Sequence, residues 1–153
     1  MSITRSVQVQ ASPDRVWELV SDLPGMGRLS PENTGGRWLG RATGPAVGAR
    51  FRGSNRNGWR RWSTTVEVTR CTPGSAFAFA VTSYGLPVSH WSYELVPHSE
   101  GGCTVTESWE DRRPGWFKGP AGAVTGVRDR EAATVASIDA TLAALKEVAE
   151  SAP

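Results

Sequence analysis

Residues 3–9 set Ile3, Arg5, Val7 and Val9 against Thr4, Ser6 and Gln8, the two-residue period of a half-buried strand. The period then changes. Ser12 stands where an N-cap is needed, Pro13 suits the first helical position, and Val16, Trp17, Leu19 and Val20 recur on one side, so a short helix is predicted directly after the strand. Pro24-Gly25-Met26-Gly27 interrupts it, and residues 28–32 are expected to add one more turn. From there to Arg112 alternating stretches are separated by Gly44-Pro45, Asn57-Gly58, Pro73-Gly74, Gly85-Leu86-Pro87 and Glu100-Gly101-Gly102. Such punctuation predicts antiparallel hairpins, with strands at about 36–42, 48–54, 60–71, 75–83, 88–97 and 102–112. Past Pro114-Gly115 the spacing turns helical. Val127, Val135, Ile138, Leu142, Leu145 and Val148 predict one helix ending near Glu150, some 25 residues and roughly 37 Å long.

Alternation also assigns faces. Trp62, Thr64, Val66 and Val68 should point toward the long helix, as should Phe77, Phe79 and Val81, then Trp91, Tyr93 and Leu95, then Cys103, Val105, Glu107 and Trp109. Trp38 and Phe51 are the inward aromatics of the two earlier strands. Glu107 is the exception among these apolar positions. A carboxylate there needs an arginine, a tyrosine or other hydroxyl, or a proton of its own, and an ion pair with an inward-reaching arginine is the plainest solution. His90 falls on the opposite, outer face.

Composition narrows the function classes. With 153 residues, 39% apolar and 21% charged, the chain suits one globular domain, assigned to residues 1–153. It holds no run of about 18 apolar residues, so no membrane insertion is expected, and no leader-like start is visible, which makes the cytoplasm the expected location. Cys71 and Cys103 are read as reduced and structural, and His90 and His98 stand at no ligand spacing from either, so no metal and no cofactor are expected. The net charge of +2 is carried mostly by arginine. Arg50, Arg52, Arg56, Arg60 and Arg61 interleave with Phe51 and Trp62, but at strand spacing they form a solvated face, and nucleic acid is not the expected partner. Neither a phosphate loop nor a nucleophile elbow is present.

Several stretches resemble one family in order along the chain. Ala11-Ser12-Pro13 leading to Val16-Trp17 and Ser21-Asp22 looks like the common opening of the START-like helix-grip superfamily (SRPBCC). Trp62-Ser63-Thr64-Thr65, Pro73-Gly74 with Phe77-Ala78-Phe79, and Trp91-Ser92-Tyr93-Glu94-Leu95 resemble its polyketide cyclase/dehydrase and lipid-transport branch. So do Thr106-Glu107-Ser108-Trp109-Glu110-Asp111 and the closing Thr141-Leu142-Ala143-Ala144-Leu145-Lys146. The resemblance implies an α+β helix-grip fold, a seven-stranded bent antiparallel sheet around a long C-terminal helix, with two short helices between strands 1 and 2.

It also implies an internal cavity for a small hydrophobic ligand, lipid-like or polyketide-like. The alternative is an aromatase/cyclase or dehydratase working there by acid–base chemistry, so whether the chain is an enzyme stays open; a third possibility is an interaction module whose pocket has collapsed around its aromatics. The candidate ligand-binding residues are Trp38, Phe51, Trp62, Thr64, Phe77 and Phe79, joined by Trp91, Tyr93, Glu107 and Trp109. Glu107 and Tyr93 are the candidates for catalysis. Entry to the cavity is expected between residues 54–58, 83–87 and 116–126, and the chain is expected as a monomer or homodimer.

Overall fold

The computed structural model describes residues 2–151; the domain assigned to 1–153 therefore includes Met1, Ala152 and Pro153, which lie outside the described residues. Strand β1 (Ser2–Val9) leads into helix α1 (Pro13–Ser21) and a 3₁₀ turn (Leu23–Arg28). Six strands follow: β2 (Asn33–Trp38), β3 (Arg50–Asn57), β4 (Arg60–Thr72), β5 (Ala76–Ser83), β6 (Leu86–Pro97) and β7 (Cys103–Asp111). Helices α2 (Gly115–Thr125) and α3 (Arg130–Glu150) complete the chain. The helix-grip architecture implied by the sequence is the one observed.

Local chemistry accounts for the first helix. The Ser12 hydroxyl accepts from the Arg15 amide at 3.2 Å, satisfying one of the orphan donors of the first turn, and Pro13 has no amide to leave unpaired. Trp17 reaches from α1 to the sheet, donating its indole N–H to the Ala76 carbonyl at 2.9 Å. Ser12→Ala should cost about 1 kcal/mol of unfolding free energy with the native circular dichroism spectrum retained. A loss too small to measure in urea denaturation would show that the tertiary ties of α1, from Trp17 to Ala76 and from Arg15 to the Val148 and Ala149 carbonyls, hold it in place without the cap.

The sheet runs β1-β7-β6-β5-β4-β3-β2, every neighbouring pair antiparallel. Its registers place Trp91 opposite Trp109, Tyr93 opposite Glu107 and Phe79 opposite Trp91, so the inward sets predicted by parity meet on one face. A bulge between Val68 and Arg70 turns Cys71 toward Phe77. The outer face of β5 carries Ala76, Ala78 and Ala80, and an Arg70–Glu94 ion pair at 3.4 Å spans the neighbouring strands across these small side chains.

Three expectations about elements are corrected. The extra turn predicted for 28–32 lies instead over Leu23–Arg28, because Asp22 caps it by accepting from the Gly25 amide at 3.2 Å and Pro24 fits its first turn. Strand β2 starts at Asn33, ahead of the expected 36, since Gly35 and Gly36 take φ of 106° and 151° and so pair where other residues would strain. The single C-terminal helix is two. Gly126 ends α2 in a left-handed conformation (φ 73°), and Asp129 opens α3 by accepting from the Ala132 amide at 3.0 Å, leaving Val127 in the break.

Candidate functional site

The long helix does not lie flat on the sheet. Between them is a cavity of about 190 Å³, walled on the sheet side by β4 to β7 and on the helix side by Thr134, Ser137 and Thr141 of α3. Of the ten residues singled out by sequence, Trp62, Thr64, Phe79, Trp91, Tyr93, Glu107 and Trp109 line it. Trp91 and Trp109 face each other across the β6–β7 pair with ring centroids 6.4 Å apart, and the Trp91 indole donates to the Ser89 hydroxyl at 3.1 Å. Asn55 donates to the Thr64 hydroxyl at 3.3 Å.

The other three sit elsewhere on the same face. Phe51 tucks its ring against Gly36, where a Cβ would collide with it and with the Arg52 carbonyl, and Trp38 packs on it edge-to-face at 5.3 Å. Phe77 is wholly buried, edge-on to Trp17 at 6.3 Å, beneath α1. The cavity therefore leaves out Trp38, Phe51 and Phe77: parity gives a face of the sheet, while the bend and its covering helices decide which part of that face stays open.

Glu107 is buried to 1% exposure and Tyr93 to 3%. The Tyr93 hydroxyl donates to Glu107 Oε2 at 2.8 Å, while Oε1 has no partner among the described residues. Burial is the dominant influence and raises the Glu107 carboxyl to about 8, the tyrosine hydrogen bond opposing it only partly. Burial, then the neighbouring acid, also lifts the Tyr93 phenol well above its ordinary range. The arginine expected to neutralise Glu107 is not its partner. Arg5 stands opposite Glu107 in the β1–β7 register, but its guanidinium reaches to Asp139 of α3 at 3.6 Å. Arg113 and Arg130 also border the cavity, and both are engaged. Arg113 grips Asp111 through two bonds of 2.9 and 2.8 Å, holding that carboxyl below its usual range, and Arg130 donates to Glu32 at 2.8 Å.

His90, assigned to the outer face, is within 3.0 Å of the Thr69 hydroxyl and is not among the lining residues. Of the expected entry segments, Asn55 near the end of β3 and Ala121 and Thr125 of α2 border the cavity, whereas residues 83–87 do not and residues 30, 32 and 33 take their place. Asn57 donates to the Thr125 carbonyl at 2.9 Å, tying the β3–β4 turn to the end of α2. The α3 hydroxyls were not anticipated. Their signal was available, since Thr134, Ser137 and Thr141 recur three and four apart beside the apolar stripe, and Thr134 and Thr141 are buried at 2% and 3% exposure. Cys71 and Cys103 are free thiols. Among the described residues no group of three or more His, Cys, Asp or Glu side chains is placed to hold a metal ion. No helix among them is long and apolar enough to cross a membrane.

A family model described as polyketide cyclase / dehydrase and lipid transport matches residues 1–150. No curated protein matches the sequence. Among solved structures, a Polyketide_cyc-like protein from Corynebacterium glutamicum is 29% identical, with a TM-score of 0.65 over 96% of this chain and 90% of its own. The di-domain ARO/CYC BexL from the BE-7585A biosynthetic pathway superposes with a TM-score of 0.74 at 17% identity over 100% of this chain. This chain spans about half of BexL, 51% of its length. The Aha1 dimer from Colwellia psychrerythraea has a TM-score of 0.68 at 15% identity, over 98% of this chain and 96% of its own. At these last two identities the likeness is one of fold.

Proposed function

The chain belongs to the polyketide cyclase/dehydrase and lipid-transport family, and from that premise we propose that it holds a small hydrophobic molecule, lipid-like or polyketide-like, in the cavity between sheet and α3. One observation carries the reading: a concave space whose sheet side is walled by Trp62, Phe79, Trp91 and Trp109, with the buried Tyr93–Glu107 pair set among them and hydroxyls of α3 facing it. Aromatic walls with polar groups placed between them are the ordinary make-up of a small-molecule site. The volume sets the scale. An apolar cavity of about 150 Å³ accommodates benzene, so some 190 Å³ suits one ring or two fused rings, and a longer chain would extend past the α2 side. The hydroxyls of Thr64, Ser137 and Thr141 then serve as additional hydrogen-bonding positions.

Ser137→Phe should fill this space from α3 and weaken binding of a naphthalene-type probe by about tenfold or more, read as quenching of the cavity tryptophans, with the fold unchanged by circular dichroism. Undiminished affinity would place the ligand elsewhere. Native mass spectrometry of the protein purified from its own host would then identify the natural occupant.

A second reading is favoured by the acid pair. A carboxyl brought close to neutrality beside a tyrosine is suited to exchanging protons with a reactive chain folded in a dry site, as an aromatase/cyclase or dehydratase requires, with Glu107 and Tyr93 in the catalytic roles. A polyketide-like compound recovered unchanged after incubation with the protein supports the carrier; a cyclised or dehydrated product supports the enzyme. The assembly is a monomer or a homodimer, the second being the state named for the Colwellia relative.

A further inference from the structure

We propose that the Tyr93–Glu107 pair is the polar anchor of the cavity and presents Glu107 Oε1–H as a hydrogen-bond donor, so that the ligand is an uncharged aromatic molecule bearing a carbonyl-type oxygen. This rests on the reading of the cavity as a ligand site and specifies its chemistry. The Tyr93 hydroxyl has one proton, and it is directed to Oε2. Oε2 is therefore the acceptor end of the carboxyl group. Oε1 has no partner among the described residues, lies inside the fold and is flanked along its strand by Val105 and Trp109, where a bare carboxylate would go unsolvated. The acid proton belongs on Oε1, and what is missing opposite it is an acceptor.

The surroundings exclude a charge-neutralising alternative. From β1, Arg5 is drawn to Asp139; from β7 and the segment beyond it, Arg113 and Lys118 are drawn to Asp111; beside the mouth, Arg130 is drawn to Glu32. The cavity-lining residues of β4, β5 and α3 other than Arg130 are uncharged. On β6 the titratable neighbour is Tyr93 itself, while His90 lies on the outer face against Thr69. Burial, which raises the Glu107 carboxyl to about 8, agrees with a protonated group at neutral pH. An amine would need the ionised form, and an anionic ligand would have to draw Arg113 from Asp111 or Arg130 from Glu32.

Three probes of one shape separate the possibilities: acetophenone, ethylbenzene and 1-phenylethylamine, titrated calorimetrically into the full chain at about pH 6.5 and about pH 9, with circular dichroism recorded at each pH. Acetophenone is expected to bind about tenfold or more tightly than ethylbenzene at the lower pH, the scale of one well-made hydrogen bond in a dry site, and to lose that advantage at the higher one. Glu107→Gln keeps a donor in the form of an amide N–H, so it should retain the ketone preference at both pH values. Glu107→Leu should erase the preference already at about pH 6.5. Equal affinity of the wild type for ketone and hydrocarbon at that pH overturns the anchor while leaving the cavity a ligand site. An amine that binds best, and better still at alkaline pH, overturns it in favour of an anionic Glu107. Failure of all three to bind overturns both the anchor and the ligand-site reading beneath it.

Discussion

Resistance to urea is expected to fall as the pH is raised from about 6.5 to 8, and Glu107→Gln is expected to remove most of that fall. Burial lifts the Glu107 carboxyl from 4.5 to about 8, so between those values the folded chain holds a proton that the unfolded chain has released. Stability linked to this group is fully present below pH 4.5 and is lost as the pH climbs through 8. Every pH unit in that interval corresponds to about 1.4 kcal/mol, so the whole window carries roughly 5 kcal/mol and the stretch above pH 6.5 roughly 2. Other perturbed groups act at different pH values. Asp111, Glu110 and Glu150 are lowered by their hydrogen bonds, and their contributions are lost only as the pH falls through the acid range. His90 is lowered chiefly by burial, so it opposes folding below 6.5, and Cys71 and Cys103 are raised above 9.0. The interval from about 6.5 to 8 thus isolates Glu107. Parallel profiles for wild type and Glu107→Gln would mean that the carboxyl is ionised in the folded chain.

Phe77→Ala should be the most damaging truncation among the residues singled out from the sequence, costing about 3–5 kcal/mol in equilibrium unfolding. Its ring has 0% exposure, wedged between Trp17 at 6.3 Å and Phe79 at 5.8 Å, and it does not border the cavity that could absorb the loss. That is a large share of the roughly 5–15 kcal/mol a domain of this kind possesses. Phe79→Ala provides the contrast, because one side of Phe79 already borders the cavity and its removal enlarges a space that exists. Equal losses for the two variants would contradict the division between filled core and open site.

How far the sequence could be read depended on the range of the physics involved. Strand parity is a local property, and spacing alone put Phe79, Trp91, Glu107 and Trp109 on one face. Turn chemistry is equally local and located the hairpins to within a few residues. What escaped needed information from afar. Trp38 and Phe51 share the inward face, yet Gly36 offers Phe51 a notch at the far edge of the sheet, and no spacing rule encodes that. The partner of Glu107 depended on whether Arg5, opposite it in the register but from the other end of the chain, turned to Glu107 or to Asp139. The break before α3 was masked by Val127, which continues the apolar spacing in a segment that Gly126 and Asp129 take out of the helix.

The pairing of β1 with β7 has a consequence for how the chain acquires its structure. Ile3 meets Trp109, and the Gln10 amide is capped by Glu150 at 2.8 Å, so the strand of this fold that is made first finds its neighbours only after most of the fold has been made. Until then its hydrogen-bonding edge is unpaired and the inner faces of β4 to β6 lack the helix that covers them. Closing such long loops is entropically costly and slows the search for native contacts. During synthesis this domain must pass through an interval in which sticky edges and aromatic surface are exposed together, which is where nascent-chain chaperones act. The solvated outer face, with Arg50, Arg52, Arg61 and Glu67 projecting from β3 and β4, supplies charge to the nascent sheet during that interval.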